Sequence, residues 1–297
     1  MMFFFRKFFG IFLCLSCSCA PPLERPKIPV IPAIEWEVDY PSNQVLRDQK
    51  ILQTFNFQHI AFGIPVRVNV EKGLVQSDTA FLKTFSQVVL SYSSLYQTFT
   101  LCFRFEGDTE VWLAQQRDLL PFFSSYTQWI LKIIGSLPSK PTRIVLGSDI
   151  FTAHQESAWV FLINQLRENN ISAKLLIAAT PDRMRANLPW QLCDEIGLLM
   201  VSPEDGNHKK YARTWHPKIG NLASYLQKPI YIVRANLLEP KAEIPFKNLL
   251  RYWPENVQVS GIQLNTIFPT PIFADSAQPY GRLHDDDFLK TVHNYVR

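Results

Sequence analysis

From about residue 33 onward, apolar positions along the chain switch repeatedly between two periods. Short runs rich in β-branched and aromatic residues alternate with longer stretches whose apolar residues recur every three to four positions. The first pattern predicts strands at 34–38, 59–66, 98–105, 143–149, 174–179, 195–201, 229–233 and 259–265. The second predicts helices at 44–55, with Ser42 as N-cap, and at 78–96, with Ser77 as its cap. Further helices are expected at 119–137, 155–168, 184–192, 218–226, 245–252 and 286–296. In the helix at 119–137, Phe122, Tyr126, Trp129, Ile130, Ile133 and Ile134 fill one face.

Eight strand-then-helix units imply parallel strands joined by helical crossovers. About 265 residues in eight such units match the length of a single (β/α)8 TIM barrel. An open doubly wound sheet is the competing architecture, but no early strand is followed by a Gly-rich phosphate loop. In a barrel, chemistry belongs where strands end and their following loops begin. Those ends carry Arg67 and Asn69; Arg104, Phe105, Glu106 and Asp108; Ser148, Asp149 and His154; Thr180 and Asp182; Glu204 and Asp205; Arg234 and Asn236; Asn265 and Thr266.

The N-terminus has a different pattern. Arg6 and Lys7 precede a short apolar run, Phe8 to Leu15, too short to span a bilayer. Ser16-Cys17-Ser18-Cys19 follows at once, and small residues before a cysteine at this point resemble the lipobox of bacterial lipoproteins. That resemblance implies export, cleavage and a lipid (palmitate among its acyl chains) on Cys17, with Cys19 as the alternative. Residues 1–19 are thus the signal and lipidation region. Residues 20–32, which include PPLERPKIPVIP, form an extended Pro-rich tether, and 33–297 form the barrel. The expected location is the cell envelope, on the periplasmic side or the cell surface. A cleaved signal without lipid is the plain alternative.

Past the signal only Cys102 and Cys193 remain, both in apolar segments, so they read as buried thiols rather than a disulfide framework. Removing Arg6 and Lys7 lowers the net charge from +4 to about +2. No Lys/Arg tract stands out, so nucleic acid is not an expected partner. His154, His208 and His216 lack ligand spacing, and neither a metal nor a cofactor is expected. Asp285-Asp286-Asp287 fits the start of the last helix, where the dipole favours acids.

Five phrases in order resemble glycoside hydrolase family 113, whose members include β-mannanases. They are FFSSYTQWILKIIGSL, IVLGSDI, SAWVFLINQLRENNISAKLLIAAT, WQLCDEIGLLMVSP and KPIYIVRANLL, together spanning Pro121–Leu238. The resemblance implies a (β/α)8 barrel and a glycan-binding cleft. The family's retaining chemistry needs two carboxyl groups about 5 to 5.5 Å apart. Its acid/base Glu falls on Asp149, and its nucleophile Glu falls on Arg234. An arginine cannot attack a sugar carbon and stays cationic. An Asp149–Arg234 ion pair would also depress the aspartate pKa, the wrong direction for a general acid.

Three functions follow as expectations. The first is a non-catalytic lipoprotein, a pseudoenzyme whose cleft binds a glycan or an envelope protein, lined by Arg104, Glu106, Asp149, Arg234, Asn236, Glu204 and Asp205. Phe105, Trp112, Trp190, Trp215 and Tyr231 are then candidates for stacking on sugar rings, against the plainer reading that they pack the core. The second is an active hydrolase with relocated carboxylates, drawn from Glu106, Asp108, Glu204 and Asp205. The third is a structural scaffold.

Overall fold

In the computed structural model, described residues are 28–35, 53, 57–76, 79–105, 107–148, 156–184, 189–200, 206–235, 247–248 and 250–264. Eight parallel strands close into a barrel: β1 (Val30–Glu35), β2 (His59–Val66), β5 (Thr98–Phe105), β6 (Arg143–Ser148), β7 (Lys174–Ala179), β8 (Ile196–Met200), β9 (Ile230–Ala235) and β10 (Val259–Leu264). A two-residue-per-strand hairpin, β3 (Val68–Asn69) and β4 (Leu74–Val75), follows β2 at the barrel's C-terminal mouth. Among the described residues the helices are α1 (Thr79–Tyr92), α2 (Gly107–Gln115), α3 (Leu120–Ser136), α4 (Glu156–Glu168) and α5 (His208–Leu226). None of them is long and apolar enough to cross a membrane.

Two apolar layers account for this closure. Alternate strand residues point inward, and Ile31, Ala33, Ala61, Cys102, Val145, Leu176, Ala178, Leu199, Tyr231 and Val233 form the interior cluster. The intervening residues face the helices in one larger core. That core is rich in aromatics where α1, α3 and α4 pack on β2, β5 and β6. Phe62 meets Phe85 edge to face at 6.1 Å, Phe103 meets Trp129 at 5.6 Å, and Phe123 meets Trp159 at 5.0 Å. The Tyr126 hydroxyl, carried inward by α3, donates to the Leu146 carbonyl at 2.9 Å.

The floor of the barrel is polar. Arg143 and Lys174 open β6 and β7, and Glu195 immediately precedes β8. Glu195 is fully buried and accepts from Arg143 Nε at 2.6 Å, Arg143 Nη2 at 3.0 Å and Lys174 Nζ at 2.8 Å. The Arg143 guanidinium lies 4.0 Å from the Tyr231 ring centroid, a cation–π contact. At the starts of β2 and β5, His59 Nδ1 is hydrogen-bonded to the Thr98 hydroxyl. Burial, and then the Arg143 charge, hold His59 below its ordinary pKa. Burial alone would raise Glu195, but hydrogen bonds and charge from Arg143 and then Lys174 outweigh it and hold the carboxyl down. The floor therefore carries a bidentate, ionised pair with a third partner.

Several expectations change. The first strand is Val30–Glu35 rather than 34–38, so the last residues assigned to the tether already belong to the barrel. Ile31 and Ala33 are buried there, which favours strand over a solvated Pro-rich extension. The crossover helix between β8 and β9 begins ten residues before the predicted 218, because Pro217 sits inside it instead of before it. Asn207 caps that helix by accepting from the Lys210 amide at 3.0 Å. Within the helix expected at 184–192, residues 185–188 lie outside the described residues, and the described part forms one tight turn at Pro189–Gln191, with Trp190 wholly buried. Of the expected helix at 245–252, Lys247 and Asn248 are helical and a turn begins at Leu250. Helix α2 and the β3–β4 hairpin were not anticipated; both are short and lack a strong period. The predicted helices at 44–55 (Gln53 apart) and 286–296, and the Asp285–Asp287 run, lie outside the described residues. Cys102 and Cys193 are buried and form no disulfide, and burial pushes the Cys193 thiol up to about 12.

Replacing Glu195 with Gln leaves Arg143 and Lys174 without their counter-charge. The Glu195→Gln protein is expected to lose about 3 kcal/mol of stability, typical of breaking a buried pair on one side. Urea midpoints for the two proteins, at matched m-values, check this.

Candidate functional site

The C-terminal mouth is built from the ends of parallel strands, so β6 and β9 deliver their last residues to the same rim. Ser148 closes β6 and Arg234 is the penultimate residue of β9. Both strands are irregular just there. The β6–β7 register shifts between Val145 and Ser148, and the β8–β9 register between Leu198 and Leu199, bringing Leu199 opposite Arg234. Such bulges re-aim a strand end and are common beside active sites.

Gly147 makes the first of them. Its φ of +139° lies where residues with a side chain are strained. A Cβ at this position would also overlap the Phe105 ring and come within 3.0 Å of Trp159. The sequence therefore places glycine directly before Ser148 because the bulge and the aromatic wall allow nothing larger.

On the neighbouring strand Arg104 stands one residue from the end of β5, in register with Pro65 of β2. It follows Cys102 on the inward face and is half-buried, with Nε shielded from water. The rim beside it is fixed by Thr109 of α2, which is buried. Its hydroxyl donates to the Val66 carbonyl at 3.1 Å and accepts from the Val68 amide at 3.0 Å, joining the end of β2 to the hairpin and to α2. Asp108 is exposed in the first turn of α2, a place the helix dipole favours. One further carboxylate position emerges that the sequence reading passed over. Glu35 ends β1 at the mouth, in register with Gly63. The predicted strand ran through this residue to 38, which hid its terminal position.

Of the candidate lining residues, Arg104 and the backbone of Arg234 are thus at one mouth. Glu106, Asp149, Asn236, Glu204 and Asp205 lie outside the described residues, as do Cys17, Cys19 and His154. Three of the proposed sugar-stacking aromatics turn out to be packing. Phe105 is buried against Tyr126 at 5.5 Å, Trp190 is wholly buried, and Tyr231 lies beneath Arg143 at the floor. Trp112 and Trp215 are half-buried; Trp112 sits 5.8 Å from Phe122 with Gly73 against its ring edge.

Comparison with solved structures sets this geometry beside known barrels. The GH113 β-mannanase AaManA from Alicyclobacillus acidocaldarius superposes with a TM-score of 0.70 at 12% identity, covering 92% of this chain and 99% of its own. The fold is a GH113-like barrel. A second GH113 β-1,4-mannanase gives 0.66 at 13% identity, with 90% and 98% covered. The endo-1,4-β-mannanase from Rhizomucor miehei gives 0.62 at 9% identity, with 92% and 95% covered. No family model and no curated protein sequence matches the chain. At these identities the likeness is one of fold.

A Gly147→Ala substitution tests the bulge. Strain at positive φ and overpacking against Phe105 and Trp159 are together expected to cost about 3 kcal/mol. A urea midpoint within a few tenths of a kcal/mol of the parent would show that the bulge does not need glycine.

Proposed function

We propose that the protein is an exported lipoprotein, lipid-anchored in the cell envelope, whose barrel mouth binds a glycan without cutting it by the retaining route. The observation that carries this reading is Arg234, placed next to last in β9 of a GH113-like barrel. The family resemblance assigns the nucleophile to that residue. A guanidinium forms no glycosyl ester, but it is well suited to hold sugar hydroxyls or a carboxylate through several N–H donors. Arg104, on the same rim, adds a second such donor set. Asp149, Glu106, Asn236, Glu204 and Asp205 are proposed to complete the lining, with an envelope protein as a further possible occupant. Support for a glycan comes from the solved neighbours, several of which are named as β-mannanases.

A second reading, a hydrolase with relocated carboxylates, is favoured by Glu35. This carboxylate ends β1 at the mouth, and inverting chemistry tolerates pairs roughly 6.5–9.5 Å apart.

The full-length protein in detergent, run through gels containing β-1,4-glucomannan or other envelope-type polysaccharides, separates these readings when paired with a reducing-end assay. Retardation without release of reducing ends is expected, and Arg234→Ala should weaken retardation about tenfold. Release that Glu35→Gln abolishes would establish the second reading, and neither retardation nor release would reject both.

The anchor has its own test. Cells fed an alkynyl palmitate should label the protein, and Cys17→Ser should abolish both the label and partition into a detergent phase. Loss with Cys19→Ser instead moves the acceptor, and an unlabelled parent protein rejects the lipid.

A further inference from the structure

From Gly206 to Leu238 the chain contains no Asp or Glu, yet it carries Lys209, Lys210, Arg213, Lys218, Lys228 and Arg234. The sequence alone shows these cations scattered; the fold collects several of them. Lys209 and Lys210 are exposed in the first turn of α5, and Arg213 is exposed one turn later on the same side. That first turn contains no acid. Lysines there oppose the helix dipole, so local helix stability does not explain their placement.

The segment after β9 packs against the same helix and extends the charge. The Arg213 guanidinium lies 5.3 Å from the Tyr252 ring centroid. His216, one turn further on, is bonded to the Arg251 carbonyl at 2.6 Å and stacked on Trp253 at 3.9 Å. This contact fixes Arg251 and Tyr252 beside α5; Arg251 is exposed, as is Lys247 four residues earlier in the chain. Burial holds His216 down at about 4, so it stays neutral and adds nothing to the patch. The cations of the strip are therefore lysines and arginines. Asp182 lies close enough to Tyr211 for its charge to add to burial in raising that hydroxyl, and Glu255 follows Tyr252 by three residues. Glu204 and Asp205 precede Asn207 outside the described residues.

We propose that the start of α5 and the 247–252 segment form a binding strip for an acidic polysaccharide leaving the barrel mouth. This deepens the glycan-binding reading and rests on it. Exposed Lys and Arg would pair with carboxylate or ester-acid groups repeated along the polymer, with Arg213 held over the Tyr252 ring. Position within the barrel favours a polymer over an anionic bilayer. The 19 residues of α5 span about 28 Å. Its basic start lies at the C-terminal mouth, just after β8, whereas the chain enters β1 at the floor. A lipid anchor ahead of β1 therefore leaves the strip on the side away from the membrane.

The test uses the full-length protein in detergent, with polygalacturonate as the acidic probe and glucomannan as the neutral one. The variant is Lys209→Gln/Lys210→Gln/Arg213→Gln, checked for an unchanged thermal midpoint. Polygalacturonate should bind the parent and weaken with added salt. In the triple variant its affinity should fall about tenfold, the combined size expected of three exposed charge contacts, while glucomannan binding stays unchanged. Binding of glucomannan but not polygalacturonate overturns the acidic preference and leaves the glycan reading standing. Binding of neither polymer removes both. Loss of binding by the triple variant to phosphatidylglycerol mixed micelles, with polygalacturonate ignored by both proteins, also overturns the proposal in favour of a membrane contact.

Discussion

The Glu195 carboxylate is withdrawn from water at the barrel floor, and three neighbouring strand starts meet on it. Arg143 approaches from β6, Lys174 from β7, and Glu195 itself leads into β8. Tyr231 of β9 covers the guanidinium, and His59 with Thr98 continues the polar ring to β2 and β5. Such a cluster adds little net stability over an apolar floor of equal volume. Its effect is on register. A parallel strand slipped by one residue turns every inward side chain outward, so Arg143 or Lys174 would leave the carboxylate unpaired in the interior. Closure of an eight-stranded barrel requires one fixed stagger, and the floor admits only the pairing observed.

With the floor fixed in this way, the mouth can be irregular. The β6–β7 and β8–β9 register shifts both fall in the last few residues of β6 and β9, the β9–β10 ladder shifts near its start as well as near its end, and no shift occurs in the β2–β5 or β5–β6 ladders. These two strands are the ones whose ends the family resemblance assigns to the acid/base and the nucleophile. The backbone devices are therefore present at the two strand ends, while the sequence supplies aspartate and arginine there. The β6 bulge is maintained by a glycine that adopts a φ other residues would find strained, packed between Phe105 and Trp159. Under the proposed glycan-binding reading, it would keep the shape of a mouth that serves a ligand.

Strands buried on both sides were the most legible part of the sequence. The runs at 98–105 and 174–179 coincide with β5 and β7 to the residue, because unbroken apolar segments have few alternatives. Helix starts were less legible. Pro217 reads as a breaker, but it sits inside α5, and Asn207 supplies the true start. The floor cluster was invisible, since Arg143, Lys174 and Glu195 are separated by 31 and 21 residues and look like ordinary flanking charges. At the mouth the strand-end rule located Arg104 and Arg234 but missed Glu35, whose strand was read four residues late. Aromatic content was a poor guide to a sugar platform: Phe105, Trp190 and Tyr231 fill the interior because a barrel of this girth needs large side chains in both layers.

The two ends of the barrel thus differ in what their charges can do. At the floor, the cations are neutralised within the chain by a buried carboxylate and are unavailable to a partner. Toward the mouth, Lys209, Lys210, Arg213 and Arg251 are exposed to solvent, so their field extends outward by about a Debye length, ~8 Å at physiological salt. The chain enters at the neutralised end. With a lipid on Cys17 and a Pro-rich tether of about ten residues spanning at most ~31 Å, the barrel would hang with its floor toward the bilayer and its open, basic end toward whatever polymer lies beyond. Under that orientation the membrane and the ligand compete for different faces, and the anchor raises the local concentration of the mouth near an envelope polysaccharide without obstructing it.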